Sequence, residues 1–336
     1  MPVTLAEAKN NVQNAYDPAV IDEFRIHSPF LDLLQFDQAV NPSGGGGTLT
    51  YGYRRLKTLA TAANRPLNTE YVPQNVTTEQ VNVNLAVMGG SYEIDRVIAR
   101  NLGSGASDAV TLNMQQKIVS TVAQFNDQVI NGDTAVDAAG FNGLDKILTG
   151  TSTEIGVDNV TAWNDFDTNA AAPQVALDTL DEFLDLLNGP ASVVVGNKRA
   201  LARIRAIARR AGMYNRDPFE GLQDRNGRPV TREVYGNITF VDAGLKPGTA
   251  TDVIPVETRT VDGQSVTGLT DLYAIRLEVL DGFHAVSTVG SPLIESWLPD
   301  FSTAKAVKTG EVELGPIAVA LKSTKGAAVL RNLKVS

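Results

Sequence analysis

"NPSGGGGTLTYGYRRLKTL", Asn41 to Leu59, sets four consecutive glycines before an alternating apolar run, Leu49, Tyr51 and Tyr53, that meets Arg54, Arg55 and Lys57. Such a loop either cradles a phosphate or hinges an arm. A phosphate loop needs a Lys-Ser/Thr pair after its last glycine, where a helix begins. Gly47 is followed instead by Thr48, Leu49 and the period-two pattern of a strand. The stretch reads as a hinge followed by a strand.

A partner strand follows in "VNVNLAVM", where Val81, Val83, Leu85 and Val87 alternate with Asn82, Asn84, Ala86 and Met88. The residues between the two runs include Pro66, Pro73 and many small polar side chains, and so long a connection usually has a task of its own. Together these pieces predict a long, protruding hairpin. From Thr48 to Gln80 it carries Arg54, Arg55, Lys57 and Arg65 against Glu70 and Glu79, so it is net positive on a chain of net charge −9.

The 336 residues, 43% hydrophobic and 20% charged, suit one large domain or two ordinary ones with a real core. The acidic balance argues against a protein that coats itself with nucleic acid. Absence of cysteine excludes disulfides, thiolate metal sites and cysteine nucleophiles, and fits synthesis in a reducing cytoplasm. "MPVTLAEAKNNVQ" lacks the basic and apolar regions of a signal peptide. No run of about 18 apolar residues predicts a membrane span, and no fixed-period repeat is present.

Before the glycines, Asp17-Pro18 and Ser28-Pro29 predict two short helices in tandem, each with a capping residue before a proline at the first helical position. After the hairpin, Val110, Met114, Ile118, Val122, Phe125 and Val129 form a stripe at helical spacing, with Ser107 as cap and Asn131-Gly132 as stop. This predicts a single beam-like helix. The middle alternates helix and strand: "PQVALDTLDEFLDLLNGP", "ASVVVGN", "KRALARIRAIARRAG", "YGNITFVDAG" and "DLYAIRLEVLDGFHAV". The tail is β-rich, with "PIAVALKS" and "GAAVLRNLKV" as its clearest strands. The fold class expected is α+β.

No catalytic constellation emerges. "GSGASD" at Gly103 lacks the third glycine of a dinucleotide fingerprint, and "GGSYE" at Gly89 stops short of a nucleophile elbow. His27 and His284 lie far apart and in no ligand-spaced cluster. Asp178, Asp181, Glu182 and Asp185 read as the wet face of a helix whose dry face is Leu177, Leu180, Leu184 and Leu187. Lys198, Arg199, Arg203, Arg205, Arg209 and Arg210 crowd one helix, but no aromatic residues interleave to stack bases. No cofactor and no metal are expected.

Charge is unevenly spread. From Asp133 to Pro190 eleven acidic residues face one lysine, and from Lys198 to Arg232 ten basic residues face three acids. Either these are two solvated faces of one domain, or Asp181 and Asp185 of one copy meet Arg203, Arg209 and Arg210 of the next in head-to-tail packing.

The order of parts resembles the major capsid protein of tailed bacteriophages, the Hong Kong 97-type fold. "GFNGLDKILTG" after the long helix, "VVVGNKRALARI" and "YGNITFVDAG" carry the likeness together with that order. The resemblance implies an N-terminal arm over 1–46, an E-loop hairpin over 47–92, and a P-domain spine helix over 93–134. It further implies an A-domain over 135–294 and a β-rich return to the P-domain over 295–336. Copies would form pentamers and hexamers of an icosahedral head enclosing double-stranded DNA, with Arg54, Arg55, Lys57 and Arg65 touching neighbours. A separate scaffold, a portal and decoration proteins are possible partners, and assembly would occur in the cytoplasm of a host bacterium. An encapsulin-type compartment is the alternative within the same fold. Some relatives join an E-loop lysine to an asparagine covalently, with help from a buried carboxylate. Lys57 and Asn332 are the raw residues here, but Lys57 lies near the arm's base and no motif ties Asn332 to an acid, so no cross-link is expected.

Overall fold

The computed structural model describes residues 30, 33–41, 48–101, 104–164, 166, 171–210, 215–223, 229–235, 238–290 and 292–336, with backbone alone at 100, 101, 104–109, 215–223 and 229–235. The tandem helices expected at Asp17 and Ser28, His27, the glycines Gly44 to Gly47, and Gly103 lie outside the described residues.

The elements begin with β1 (Phe36–Val40), β2 (Thr50–Leu56), β3 (Thr78–Asn84), β4 (Ala86–Asp95), α1 (Arg96–Asn101), α2 (Ser104–Asn131) and α3 (Leu144–Leu148). There follow β5 (Glu154–Ile155), β6 (Thr161–Ala162), α4 (Ala172–Asp185), β7 (Val193–Gly196), α5 (Lys198–Arg210), β8 (Asn215–Gln223), β9 (Pro229–Tyr235) and β10 (Ile238–Asp242). The last are β11 (Glu257–Val261), β12 (Gln264–Ile275), β13 (Phe283–Thr288), β14 (Ile294–Trp297), β15 (Val307–Leu321) and β16 (Ala327–Lys334).

These strands make three sheets. The larger runs β5-β16-β12-β7-β10-β9-β8, with β11 beside β12 and β6 beside β16. Successive strand residues point to opposite faces, and in β7 and β12 both faces are apolar. Val193, Val195, Tyr273 and Ile275 look into a core shared with α2 and α3, while Val194, Leu272 and Ala274 look into a second core under α4 and α5. A continuous apolar run such as "VVVG" therefore marks a central strand covered on both sides. The smaller sheet runs β1-β13-β15-β14, with β4 also on β15. The third sheet is the hairpin β2-β3.

Helix α2 starts at Ser104, three residues before the expected cap, and its 28 residues span about 42 Å. Phe125, Val129 and Ile130 are buried at its C-terminal end, while Val110, Met114, Ile118 and Val122 are half-buried along the smaller sheet. At its end the chain crosses itself tightly. Gly143 N–H donates to the Gly132 carbonyl at 2.8 Å, and a Cβ on Gly132 would stand 2.3 Å from the Phe141 carbonyl oxygen. Only glycine fits there, which explains the "NGD" and "GFNG" phrases.

Two expectations need correction. "VNVNLAVM" is not one strand: β3 ends at Asn84 and β4 begins at Ala86. Across Leu85 the buried side shifts, so Ala86 and Met88 are buried and Val87 is exposed, because the chain leaves the hairpin and enters the smaller sheet. The tail also serves both sheets, since β15 pairs with β4 while β16 pairs with β12.

Candidate functional site

The hairpin pairs without a bulge from Thr50 opposite Asn84 to Leu56 opposite Thr78. Tyr51, Tyr53 and Arg55 turn inward, whereas Gly52, Arg54 and Leu56 turn to solvent. Its root is clamped to the end of β15. The Tyr53 hydroxyl donates to the Leu321 carbonyl at 2.7 Å, and Arg55 Nε donates to the Lys322 carbonyl at 2.9 Å. Burial of the Tyr53 ring pushes its hydroxyl pKa up.

Beyond the Lys57 N–H bond to Thr77 O the ladder stops, and every residue of 57–77 is exposed. This tip holds itself together locally: Thr61 N–H donates to Gln74 Oε1 at 3.2 Å. Arg65 Nη1 donates to Thr69 O at 2.8 Å, and its guanidinium lies 5.5 Å from the Tyr71 ring centroid. Leu59, Leu67 and Val72 are 83%, 89% and 84% exposed. Of the four cations expected to touch neighbours, Arg55 bonds its own chain, Arg65 bonds within the tip, and Arg54 and Lys57 are exposed.

The charged helices of the middle region are neighbours. α4 and α5 pack together on one face of the larger sheet. Asp181 and Asp185 are exposed on α4 as expected, but its buried side is Ala176, Leu180 and Phe183, with Leu177 and Leu184 only half-buried. Arg203 Nε donates to the Val335 carbonyl at 2.9 Å and tethers the C-terminus. Arg210 lies 5.4 Å from the Phe166 ring centroid, and Arg209 is exposed.

Sequence reasoning missed a buried ionic cluster. Arg331 Nε donates to Glu154 at 2.8 Å, and Arg331 Nη1 reaches Asp271 at 3.2 Å and also bonds Asp145. Arg259 Nη1 donates to the other Asp271 oxygen at 2.6 Å. Burial and the Asp145 charge hold the Tyr273 hydroxyl pKa well above its usual value, and it donates to Asp145 at 3.0 Å. The cluster borders a cavity of about 390 Å³. Asn332 belongs to it: its Nδ2 donates to the Gly156 and Val157 carbonyls at 3.0 and 2.8 Å. With that amide buried and engaged, particles boiled in detergent are expected to run as a single monomer band. A ladder of multimers lost in Lys57→Ala would reverse this.

His284 is buried beneath the hairpin root, 6.0 Å from the Tyr51 ring centroid. Burial, then the nearby Lys322 charge, lowers its pKa to about 4. The unfolded value is higher, about 6.5. The neutral imidazole thus stabilises the fold fully above about pH 6.5, and up to about 3 kcal/mol is lost as pH falls to about 4. His284→Leu is expected to flatten the acid limb of the unfolding curve between those values. An unchanged slope in urea titrations would refute the assignment.

A spine helix laid on a strand pair, a clamped projecting hairpin and a mixed central domain define the Hong Kong 97-type fold of capsid shell proteins. No family model matches the sequence, and no curated protein matches it. Solved structures do. The subunit of the holo-SrpI encapsulin complex from Synechococcus elongatus aligns over 100% of this chain and 98% of its own, with a TM-score of 0.57 at 13% identity. The capsid of Myoviridae phage XM1 aligns over 98% and 99%, with a TM-score of 0.56 at 13% identity. The capsid of the native GTA particle aligns over 98% and 97%, with a TM-score of 0.56 at 12% identity. At these identities the likeness establishes the fold.

Proposed function

We propose that this protein is the subunit of an icosahedral phage head. Copies associate as pentamers and hexamers, lay their arms over neighbours and enclose double-stranded DNA, with no catalytic role. The observation that carries this reading is the arm itself. Residues 57–77 expose Leu59, Leu67 and Val72 with no core of their own to bury them, and exposed apolar groups on a projection fit contact with another chain. The fold is shared with proteins solved as assembled capsids. A separate scaffold, a portal and decoration proteins would join the shell in the cytoplasm of a bacterial host.

The full-length match to an encapsulin favours a second reading, a shell that holds protein cargo. Negative-stain microscopy of the expressed protein tests the shared part: closed shells or rings of five or six are expected, and a monodisperse monomer at all concentrations would reject both readings. Nuclease treatment of particles from infected cells separates them, since protected double-stranded DNA is expected of a head and protein cargo alone of a compartment.

A further inference from the structure

Asparagine followed by glycine is open to attack from within the chain, because no Cβ shields the following nitrogen. Four such pairs occur: Asn131-Gly132, Asn142-Gly143, Asn188-Gly189 and Asn226-Gly227. The last lies outside the described residues. The first two are locked where the chain crosses itself after α2, with both glycines buried. Gly132 N–H donates to the Gln128 carbonyl at 3.0 Å, and Gly143 N–H to the Gly132 carbonyl at 2.8 Å. Asn131 Nδ2 donates to Asp127 at 2.7 Å and to the Val253 carbonyl at 2.8 Å, while Asn142 Oδ1 accepts from Thr134 N–H at 2.9 Å. Neither glycine nitrogen can reach the neighbouring side chain unless this crossing opens.

Asn188-Gly189 is held differently. It closes the turn between α4 and β7, with Gly189 at φ +116°. Among the described residues the Asn188 side-chain amide and the Gly189 N–H make no hydrogen bond, and both residues are exposed. The main chain on either side of them is nonetheless fixed. Asn188 N–H donates to the Lys325 carbonyl at 3.0 Å, and Arg276 Nη1 donates to the Asn188 carbonyl at 2.5 Å. The guanidinium lies against Gly189, since a Cβ there would stand 3.6 Å from Arg276 Cζ. Attack by the glycine nitrogen begins with loss of its proton, and the charge that results is shared with the carbonyl oxygen of the same peptide. A guanidinium bonded to that oxygen favours the charged form.

We infer that Asn188 is a site of spontaneous deamidation, with Arg276 activating the Gly189 nitrogen. That nitrogen bonds to Asn188 Cγ, the Cγ–Nδ2 bond breaks, and the leaving amide nitrogen departs as ammonia with the proton that Gly189 has lost. The cyclic imide then takes up one water and opens at either carbonyl, giving aspartate or isoaspartate. Holding the two reacting groups on one short turn supplies the proximity that the ring closure needs. The product sets a new carboxylate beside Arg276, which already pairs with Glu278 and Asp281. It does so where the chain passes between the two larger sheets: Arg276 follows β12 on the way to β13, and Lys325 lies between β15 and β16. Isoaspartate also lengthens the main chain by one carbon at this crossing. The inference does not depend on the shell reading.

Timed incubation of the full chain at mildly alkaline pH tests this, with peptide mapping by mass spectrometry to follow the amide-to-acid mass gain at each asparagine. In the folded chain Asn188 is expected to react at least about tenfold faster than Asn131 and Asn142. In urea the three are expected to converge, since each is then an asparagine before a glycine and nothing more. Equal rates in the folded chain overturn the proposal. So does a preference for Asn188 that persists undiminished in urea, which would trace it to sequence neighbours. Arg276→Gln is expected to slow Asn188 at least about threefold, the loss of one charged hydrogen bond at an exposed site. Arg276→Lys should restore most of the rate, with Asn131 and Asn142 slow in both variants as the sign of a folded chain. A rate at Asn188 that is unchanged or raised in Arg276→Gln, whether because the guanidinium is idle or because the turn loosens, overturns the role given to Arg276.

Discussion

Replacing residues 58–76 with an Asn-Gly turn is expected to leave the subunit folded and to abolish closed shells. Lys57 and Thr77 already face each other at the end of the ladder, with Lys57 N–H donating to Thr77 O at 2.7 Å. A two-residue type I′ turn matches the twist of the flanking strands and closes such a pair without splaying them. The excised residues are exposed throughout and their hydrogen bonds are local. Their loss should therefore change stability by no more than about 0.5 kcal/mol, the usual range for surface changes. Calorimetry checks that half of the expectation, and microscopy with sedimentation checks the other. Shells at wild-type yield from the shortened protein would show that the tip is dispensable. A cut from Thr48 to Met88 would be a poorer experiment, because Tyr51 and Tyr53 pack on the main core and Leu85, Ala86 and Met88 are buried in it.

The hairpin and the spine helix were legible because each is governed by a local period. Alternation at Tyr51, Tyr53, Val81 and Val83 needs only the two faces of a ribbon, and the Val110 to Val129 stripe needs only one helical side. What local pattern cannot carry is a change of context. Past Leu85 the alternation runs on unbroken while the buried side switches, since the strand passes from the hairpin to the sheet of β15, and a one-residue shift exchanges the faces. The start of α2 was misplaced for a related reason: no proline precedes Ser107 to stop the helix reaching back to Ser104. Acid and basic helices could be read as such, but not that α4 and α5 lie side by side, a consequence of how β7, β12 and β16 are ordered. That Glu295 stands against Glu313 follows from the cross-strand register alone, which no local pattern carries.

Arg331→Met is expected to destabilise the fold by about 3–5 kcal/mol, the cost of leaving buried charges without their partner. Arg331 bonds Asp145 of α3, Glu154 of β5 and Asp271 of β12, and the Glu154 and Asp271 side chains are only 10% and 6% exposed. The partners lie up to 186 residues apart in sequence, which is why no motif announced them. Losing the guanidinium leaves Asp271 with Arg259 and the Asn332 N–H, and leaves the desolvated Glu154 carboxylate with only the Gly150 N–H among the described residues. For a chain whose whole stability is about 5–15 kcal/mol, that is a large fraction, visible as a melting temperature lower by several degrees. If burial of unpaired charge is the cause, removing the charges as well should restore most of the loss, because a buried ion pair replaced entire is often nearly neutral. Arg331→Met combined with Glu154→Gln and Asp271→Asn should therefore melt closer to wild type than Arg331→Met alone. Strict additivity of the three substitutions would show that Arg331 acts through packing of its stem. Since the cluster ties α3 and β5 to β12 and β16 of the larger sheet, the single variant should also yield fewer closed shells if the shell reading holds, and the triple variant should regain them in step with its melting temperature.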